Sequence, residues 1–260
     1  MDGRAGVRSL DWLLRRLIEA SRPAVWERRP RSPAGPLRKS DIANLLGRKY
    51  GFRRYLEICT STTGLQYRNV DRRQYSFCRR LIYRCLEPGL AEATDILVQG
   101  EAIEGEALAR LAEGAPYDLV FVDPWHGYEC SLRDIELGWS LLAETGILMV
   151  HDCSPPGLAL AGPEFQPGDW CGLTYAAFID FTLSNAGLDF YTVDADYGCA
   201  VVRRRKQATA QTPGPSALTD GWRHTTKDHR QQFAYFDQRR QQLLRLITAE
   251  DFLRLEGLRP

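Results

Sequence analysis

The stretch DLVFVDPWHGYECSLRDIELGWSLLAETGILMVHD, from Asp118 to Asp152, holds Asp123, His126, His151 and Asp152. Asp123 closes one apolar run, and the pair His151 and Asp152 closes another. An imidazole takes up and gives back a proton near neutral pH. A carboxylate beside it can orient the ring or hold an acceptor hydroxyl. Acid and imidazole at the same kind of position in two segments point to one proton-handling site assembled from both.

For these residues to meet, the runs that carry them must be neighbouring strands. RRYLEICT (53–60), RRLIYRC (79–85), TDILVQG (94–100), YDLVFVD (117–123) and TGILMVHD (145–152) are short apolar runs. Helical patterns separate the later ones: AIEGEALARLAEG, then Leu132, Ile135, Trp139 and Leu142. Near-continuous apolar strands alternating with amphipathic helices describe a parallel sheet covered on both faces. After a Pro/Gly-rich loop and a helix from about Leu173 to Leu183, LDFYTVDA and GCAVVRRR are joined by DYG, which reads as a hairpin. The fold class is α/β: a doubly wound, Rossmann-like, mostly parallel sheet with a C-terminal antiparallel hairpin strand and helical extensions at both ends.

Ligands of such sheets bind outside the carboxyl ends of the strands. That rule puts Glu57 with the loop Cys59, Thr60, Ser61, Thr62, Thr63 and Gly64 on one rim. Gln99, Gly100 and Glu101, the Asp123 to His126 turn, and His151 to Cys153 join them there. Alternation along a strand is expected to send His151 and Asp152 to opposite sides, so that His151 either satisfies its ring nitrogens in the sheet or contacts substrate. Trp170 and Tyr175, in WCGLTY, either wall the acceptor pocket or pack under the loop before them.

Around this core, three regions are expected: residues 1–39 as a helix and linker, 40–206 as the α/β domain, and 207–260 as a linker with a helical extension. Val7, Leu10, Leu13, Leu14, Leu17 and Ile18 recur at helical spacing. Ser40 or Asp41 is placed to cap a helix through Leu46, and QATAQTPGPSALTDG (207–221) reads as a flexible linker. Phe233, Phe236, Leu243, Leu244 and Ile247 form a further helical stripe, and TAED (248–251) has the capping-box pattern.

The order of segments resembles class I S-adenosylmethionine-dependent methyltransferases, in the branch with a YLEI first strand and a DxxHxY…HD pattern around the fourth and fifth. The corresponding stretches are YLEICTSTTG and FVDPWHGYECSLRDIELGWSLLAETGILMVHD, and the likeness covers roughly residues 40–205. It implies S-adenosylmethionine as cofactor, with Glu57 facing its ammonium group, the loop through Gly64 approaching its methionine part, and a rim contact from Gln99, Gly100 and Glu101 to the adenosine. Asp123 would contact cofactor or orient His126. The acceptor implied is an oxygen, less readily a nitrogen, of a small molecule or saccharide. His126 stands where catechol-type relatives carry a catalytic lysine, which makes it the candidate general base, with Asp123 and Asp152 placing substrate. Asp123 and Asp152 also match two of the three residues that hold Mg²⁺ in metal-dependent relatives.

The chain departs from that pattern at three places. The first loop has a single glycine. The second strand lacks the usual ribose-binding acid and offers Tyr83, Cys85 and then Glu87. Cys153 replaces the third Mg²⁺ ligand, and a thiol is a poor partner for a hard cation. The alternative in a different functional class is therefore a binding or scaffold protein that keeps the fold without turnover. NAD-dependent oxidoreduction is disfavoured, because the G-x-G-x-x-G turn and the ribose acid are both missing.

Composition narrows the partners. A net charge of +1 from 34 basic and 33 acidic residues gives no electrostatic footprint for nucleic acid. Seven scattered cysteines without a C-x-x-C pair indicate reduced thiols and a cytoplasmic location. No transmembrane segment is expected. The flanking regions leave homo-oligomerisation open.

Overall fold

A strand whose residues are apolar on both faces needs cover on both. The computed structural model, which describes residues 37–85, 88–166, 168–205, 217–225 and 228–258, supplies it. β1 (Arg54–Cys59), β2 (Phe77–Ile82), β3 (Ile96–Leu97), β4 (Tyr117–Val122) and β5 (Leu142–Val150) lie parallel. β6 (Leu188–Val193) and β7 (Cys199–Arg204) form the expected hairpin, and β7 runs antiparallel to β5. A short β8 (Leu246–Ile247) adds parallel to β6, so that the sheet reads β3-β2-β1-β4-β5-β7-β6-β8. The order reverses between β1 and β4, which is where a ligand crevice belongs.

Strand alternation sorts the core into two layers. Leu56, Ile58, Val120, Val122, Leu148 and Val150 face one side. There α3 (Gly105–Gly114), α4 (Tyr128–Ser140), α5 (Thr174–Ser184), α6 (Ala217–His224) and α7 (His229–Leu244) contribute to the same cluster. Tyr55, Leu119, Phe121, Ile147 and Met149 face the other side. They meet Ile42 and Leu46 of α1 (Lys39–Tyr50), Tyr67 of α2 (Leu65–Asn69) and Phe252 of α8 (Ala249–Leu255). Phe252 is fully buried, and full burial of such a side chain stabilises by about 1.5–3 kcal/mol.

Several boundaries differ from expectation for local reasons. β2 stops at Ile82, because Arg84 takes a left-handed φ of 52° and turns the chain before Cys85. α1 begins at Lys39, and Asp41 serves its third turn position by accepting the Arg38 N–H at 3.1 Å rather than capping the helix itself. The stretch read as linker is already helical from Ala217. Ile247 leaves the α7 stripe and joins the sheet in β8. Thr248 caps α8 as the TAED pattern predicts, its Oγ1 accepting the Asp251 N–H at 3.0 Å. The helix anticipated over Val7 to Ile18 and the alternative acid Glu87 lie outside the described residues. Among the described residues, no helix is long and apolar enough to cross a membrane.

Candidate active site

Backbone hydrogen bonds first align the three strand ends. The Asp123 N–H donates to Ile58 O at 2.9 Å, and the His151 N–H donates to Val122 O at 3.0 Å. β1, β4 and β5 therefore deliver Glu57, Asp123 and His151 to one region of the rim. Asp152 arrives by a different route. β5 ends at Val150, and Asp152 takes φ 60°, a left-handed conformation that Asp tolerates better than most residues. The chain bends back there, so the expected separation of His151 and Asp152 to opposite sides does not occur. Asp152 Oδ2 lies 2.9 Å from His151 Nδ1 and 2.9 Å from His126 Nε2.

Asp123 completes the group, with Oδ1 3.3 Å from His151 Nδ1 and 3.6 Å from His126 Nε2. Two residues that the sequence did not single out extend it. Lys39 Nζ lies 2.7 Å from Asp123 Oδ2 and 3.4 Å from His151 Nδ1. Asp196, in the turn between β6 and β7, accepts the Lys39 backbone N–H at 3.0 Å and stands 3.8 Å from His151 Nε2. Its φ of 50° is the kind of turn conformation where Asp is frequent. Gly198 in the same turn, at φ 87°, packs where a Cβ would meet Ser154 at 2.5 Å, which fixes the turn against the segment after β5.

These contacts set the protonation states. Burial favours the neutral form of His126, but the charge of Asp152 and the hydrogen bonds to Asp123 and Asp152 outweigh it and push its pKa up to about 9. His151 is likewise raised against its burial, chiefly by Asp152. Asp123 and Asp152 are held below the usual carboxylate range in spite of burial, Asp123 first by Lys39 and Asp152 first by His151. At neutral pH, Lys39, His126 and His151 face Asp123, Asp152 and Asp196 as three cations against three anions.

The loop before α5 clamps His126 from its other side. His126 Nδ1 donates to Trp170 O, and the Leu173 N–H donates to His126 O at 2.7 Å. Between these two contacts Gly172 adopts φ 55°, and a Cβ there would stand 2.2 Å from His126 O. Only glycine fits that approach. Trp170 stands 5.4 Å from the His126 ring and 5.3 Å from Trp125, centroid to centroid, which places it at the site. Tyr175 does not share that position. It is fully buried and packs on Phe236 at 4.6 Å and on Trp222 at 6.3 Å, as part of the core under α6 and α7, and the pocket-wall alternative fails for it.

At the other end of the rim, Glu57 is buried and its Oε2 accepts from Tyr55 Oη at 2.8 Å. Burial lifts its pKa to about 7, and the Tyr55 hydrogen bond only partly offsets that. The loop beyond it is tied by Arg80, which sits opposite Glu57 on β2, pairs with buried Asp95 at 2.6 Å and donates to Thr62 O at 3.0 Å. Ser61 Oγ accepts the Thr63 N–H at 3.2 Å, the local turn bond that such residues supply where glycines are few. A Cβ at Gly64 would meet nothing nearer than 3.7 Å, so close packing does not demand that glycine. Cys59 is buried, and its Sγ lies 3.6 Å from Ser61 O.

No acid stands at the end of β2 among the described residues. Tyr83 accepts the Trp125 N–H, and Arg84 lies 4.0 Å over the Trp125 ring and pairs with Glu101. Gly100 accepts the Arg84 N–H at 2.9 Å, while Gln99 is exposed. Gln99, Gly100 and Glu101 thus form the outer lip of the rim, fastened to β2 by Arg84.

Asp123, His126 and Asp152 offer ligand atoms within 4.8 Å of one another, close enough for a divalent cation. The donor set nonetheless does not fit one as it stands. Asp123 Oδ2 carries the Lys39 ammonium, and Asp152 Oδ2 carries two imidazole nitrogens. Cys153, at the third ligand position of metal-dependent relatives, is fully buried with Sγ turned to Val150 O at 3.5 Å and His151 O at 3.7 Å.

Sheet order, crevice and rim together define a class I methyltransferase fold of Rossmann-like architecture. Residues 53–153 match the sequence profile of a family described as a methyltransferase domain. This segment contains Glu57, the following loop, Asp123, His126, His151 and Asp152; Lys39, Trp170, Gly172 and Asp196 lie outside it. No curated protein matches the chain. Solved structures similar to it include a Staphylococcus aureus protein assigned as a caffeoyl-CoA O-methyltransferase, 17% identical with a TM-score of 0.48, over 75% of this chain and 97% of that one. Another is the S-adenosylhomocysteine-bound Podospora anserina methyltransferase PaMTH1, at 16% identity and a TM-score of 0.45, over 79% and 97% of the two chains. A third is an O-methyltransferase of Bacillus cereus in complex with S-adenosylhomocysteine, at 12% and 0.47, over 74% and 88%.

Proposed function

We propose that this protein is a cytoplasmic enzyme that transfers a methyl group from S-adenosylmethionine to an oxygen, ahead of a nitrogen, of a small molecule or saccharide. The observation that carries the reading is His126, whose Nε2 opens on Asp123 and Asp152 while its Nδ1 and backbone carbonyl are gripped by the loop at Trp170 and Leu173. A ring held on both sides is a pre-oriented proton acceptor. When bound, the cofactor supplies an electrophilic methyl group on a sulfonium. Glu57 would receive its α-ammonium, and the loop Cys59 to Gly64 and the lip at Gln99 to Glu101 would hold its methionine part and its adenosine. As the acceptor oxygen gains the methyl group, its proton passes to His126 Nε2, and Asp152 and Asp123 hold the resulting imidazolium.

With a pKa near 9, only about one His126 in a hundred is the free base at pH 7. The rate is therefore expected to rise with pH up to about 9.

The second reading is a methyltransferase-fold binding or scaffold protein. Its support is Arg84, paired with Glu101 and stacked on Trp125 where the ribose-binding acid is expected. Calorimetric titration of the full chain with S-adenosylmethionine and S-adenosylhomocysteine separates the two. Micromolar binding, together with transfer of labelled methyl into a small-molecule extract that His126→Ala lowers about 100-fold or more, supports the enzyme. Absence of binding at millimolar cofactor refutes it and favours the scaffold.

A further inference from the structure

Asp123 and Asp152 have the placement of a metal-binding pair, yet their inward oxygens already face nitrogen. The closest of these nitrogens to Asp123 is not an imidazole. Lys39 Nζ stands 2.7 Å from Oδ2, closer than either His126 or His151 stands to Oδ1. Lys39 is well fixed: it is the first residue of α1, its backbone N–H is held by Asp196 at 3.0 Å, and its side chain is only 19% exposed. Ile42 and Leu46 of the same helix are fully buried against the sheet, so the ammonium is carried on a rigid element.

We propose that Lys39 is the resident cation of this centre, an ammonium group that neutralises Asp123 in the place of a divalent metal and makes the site metal-independent. Geometry gives the reason. The Lys39 ammonium occupies Asp123 Oδ2 at 2.7 Å, and Asp152 Oδ2 lies 2.9 Å from a nitrogen of each imidazole. A divalent ion could reach Asp123 Oδ2 only by expelling the ammonium. Hard cations bind oxygen donors strongly only when those oxygens are available. The side chain that displaces the metal comes from outside the methyltransferase-domain segment, from α1.

The inference rests on the enzymatic reading for its role in turnover, and its decisive test does not require turnover. Mn²⁺ binding to the full chain is measured by electron paramagnetic resonance, for the wild type, Lys39→Ala and Lys39→Gln. The wild type is expected to bind Mn²⁺ weakly, with Kd at or above about 1 mM. Both variants are expected to gain a site at least about 10-fold tighter, lost again when Asp123→Asn is added. Lys39→Gln keeps most of the stem, so it guards against loss of packing in Lys39→Ala. Tight Mn²⁺ binding by the wild type that Asp123→Asn abolishes would overturn the proposal. So would folded Lys39 variants that bind no more Mn²⁺ than the wild type. Turnover adds a second readout: chelator leaves the wild-type rate unchanged, and millimolar Mn²⁺ partly restores Lys39→Gln. If cofactor binding fails while the gain of Mn²⁺ holds, the methyltransferase reading falls and this one stands.

Discussion

The two ends of the rim are built on opposite plans. Over β4 and β5, Lys39, Asp123, His126, His151, Asp152 and Asp196 each have an oppositely charged partner within 4 Å. At β1, Glu57 is buried more deeply than most of that cluster, and its hydrogen bond comes from a tyrosine hydroxyl. One end is neutral and closed on itself before any ligand arrives. The other holds a carboxylate that burial keeps half-protonated at neutral pH until a cation reaches it. Such a division suits a two-substrate site: the acceptor end is set in advance, and the cofactor end is completed by the cofactor's own ammonium.

The strongest way to break the acceptor end is from the loop that clamps it. At Gly172, alanine would meet the left-handed φ of 55° and bring its Cβ to 2.2 Å from His126 O. The loop must retreat, and His126 loses its fixed orientation. A displacement of about 1 Å in a catalytic group costs about 100-fold in rate. Gly172→Ala is expected to lower kcat by about that factor, with cofactor affinity changed less than about 2-fold. Steady-state rates alongside cofactor titration check it, and equal losses in both would show that the two ends are not independent.

A smaller effect tests the charge balance. Asp152 is the first electrostatic cause of the raised His126 pKa. Asp152→Asn is expected to bring His126 back toward the ordinary histidine range, so the rise of rate with pH should start at lower pH than in the wild type. The stability linkage has a definite sign. The folded pKa of His126 lies above its unfolded value, so its contribution is complete below about pH 6.5 and is lost as pH rises through about 9. Thermal unfolding across pH 6 to 10 should show this loss in the wild type and a flatter profile in Asp152→Asn. Equal slopes would place the proton elsewhere in the cluster.

How far each end was legible in the sequence follows from the range of its contacts. The strand runs, the hairpin and the arrival of Glu57, Asp123, His126 and His151 at one rim depend on periodicity and local turn chemistry, and these are written in short windows. The expected separation of His151 and Asp152 fails because alternation does not extend past Val150, where the left-handed backbone of Asp152 ends the strand geometry. Lys39 and Asp196 were missed because their partners lie 84 and 157 positions away, Asp123 for the lysine ammonium and Lys39 for the aspartate, and nothing in spacing links them. The one available signal was DYG, whose Asp and Gly occupy left-handed turn positions. Nothing in WCGLTY marks Gly172, since only the approach of His126 explains why it is glycine. Tyr175 has the same composition cue as Trp170, and only packing separates a core ring from a site ring.

The smallest expected effect sharpens the cofactor end. If Glu57 waits for an ammonium, the bound state needs its carboxylate charged while the free protein titrates near 7. Cofactor affinity should then fall about 10-fold for each unit of pH below 7 and level off above about 8, because binding must expel the proton. S-adenosylhomocysteine keeps the same ammonium and should follow the same curve. Glu57→Gln keeps the shape and the Tyr55 contact while removing the charge. It is expected to weaken binding about 10-fold at pH 8, the worth of a hydrogen bond to a charged group, and to flatten the pH dependence. Tyr55→Phe provides the contrast, since it removes the hydrogen bond that partly offsets burial, so it should raise the Glu57 pKa further and move the fall in affinity to higher pH. Calorimetry at pH 6, 7 and 8 reads both variants. A pH-independent affinity in the wild type would mean that the ammonium binds elsewhere, and the division between a closed acceptor end and an open cofactor end would no longer hold.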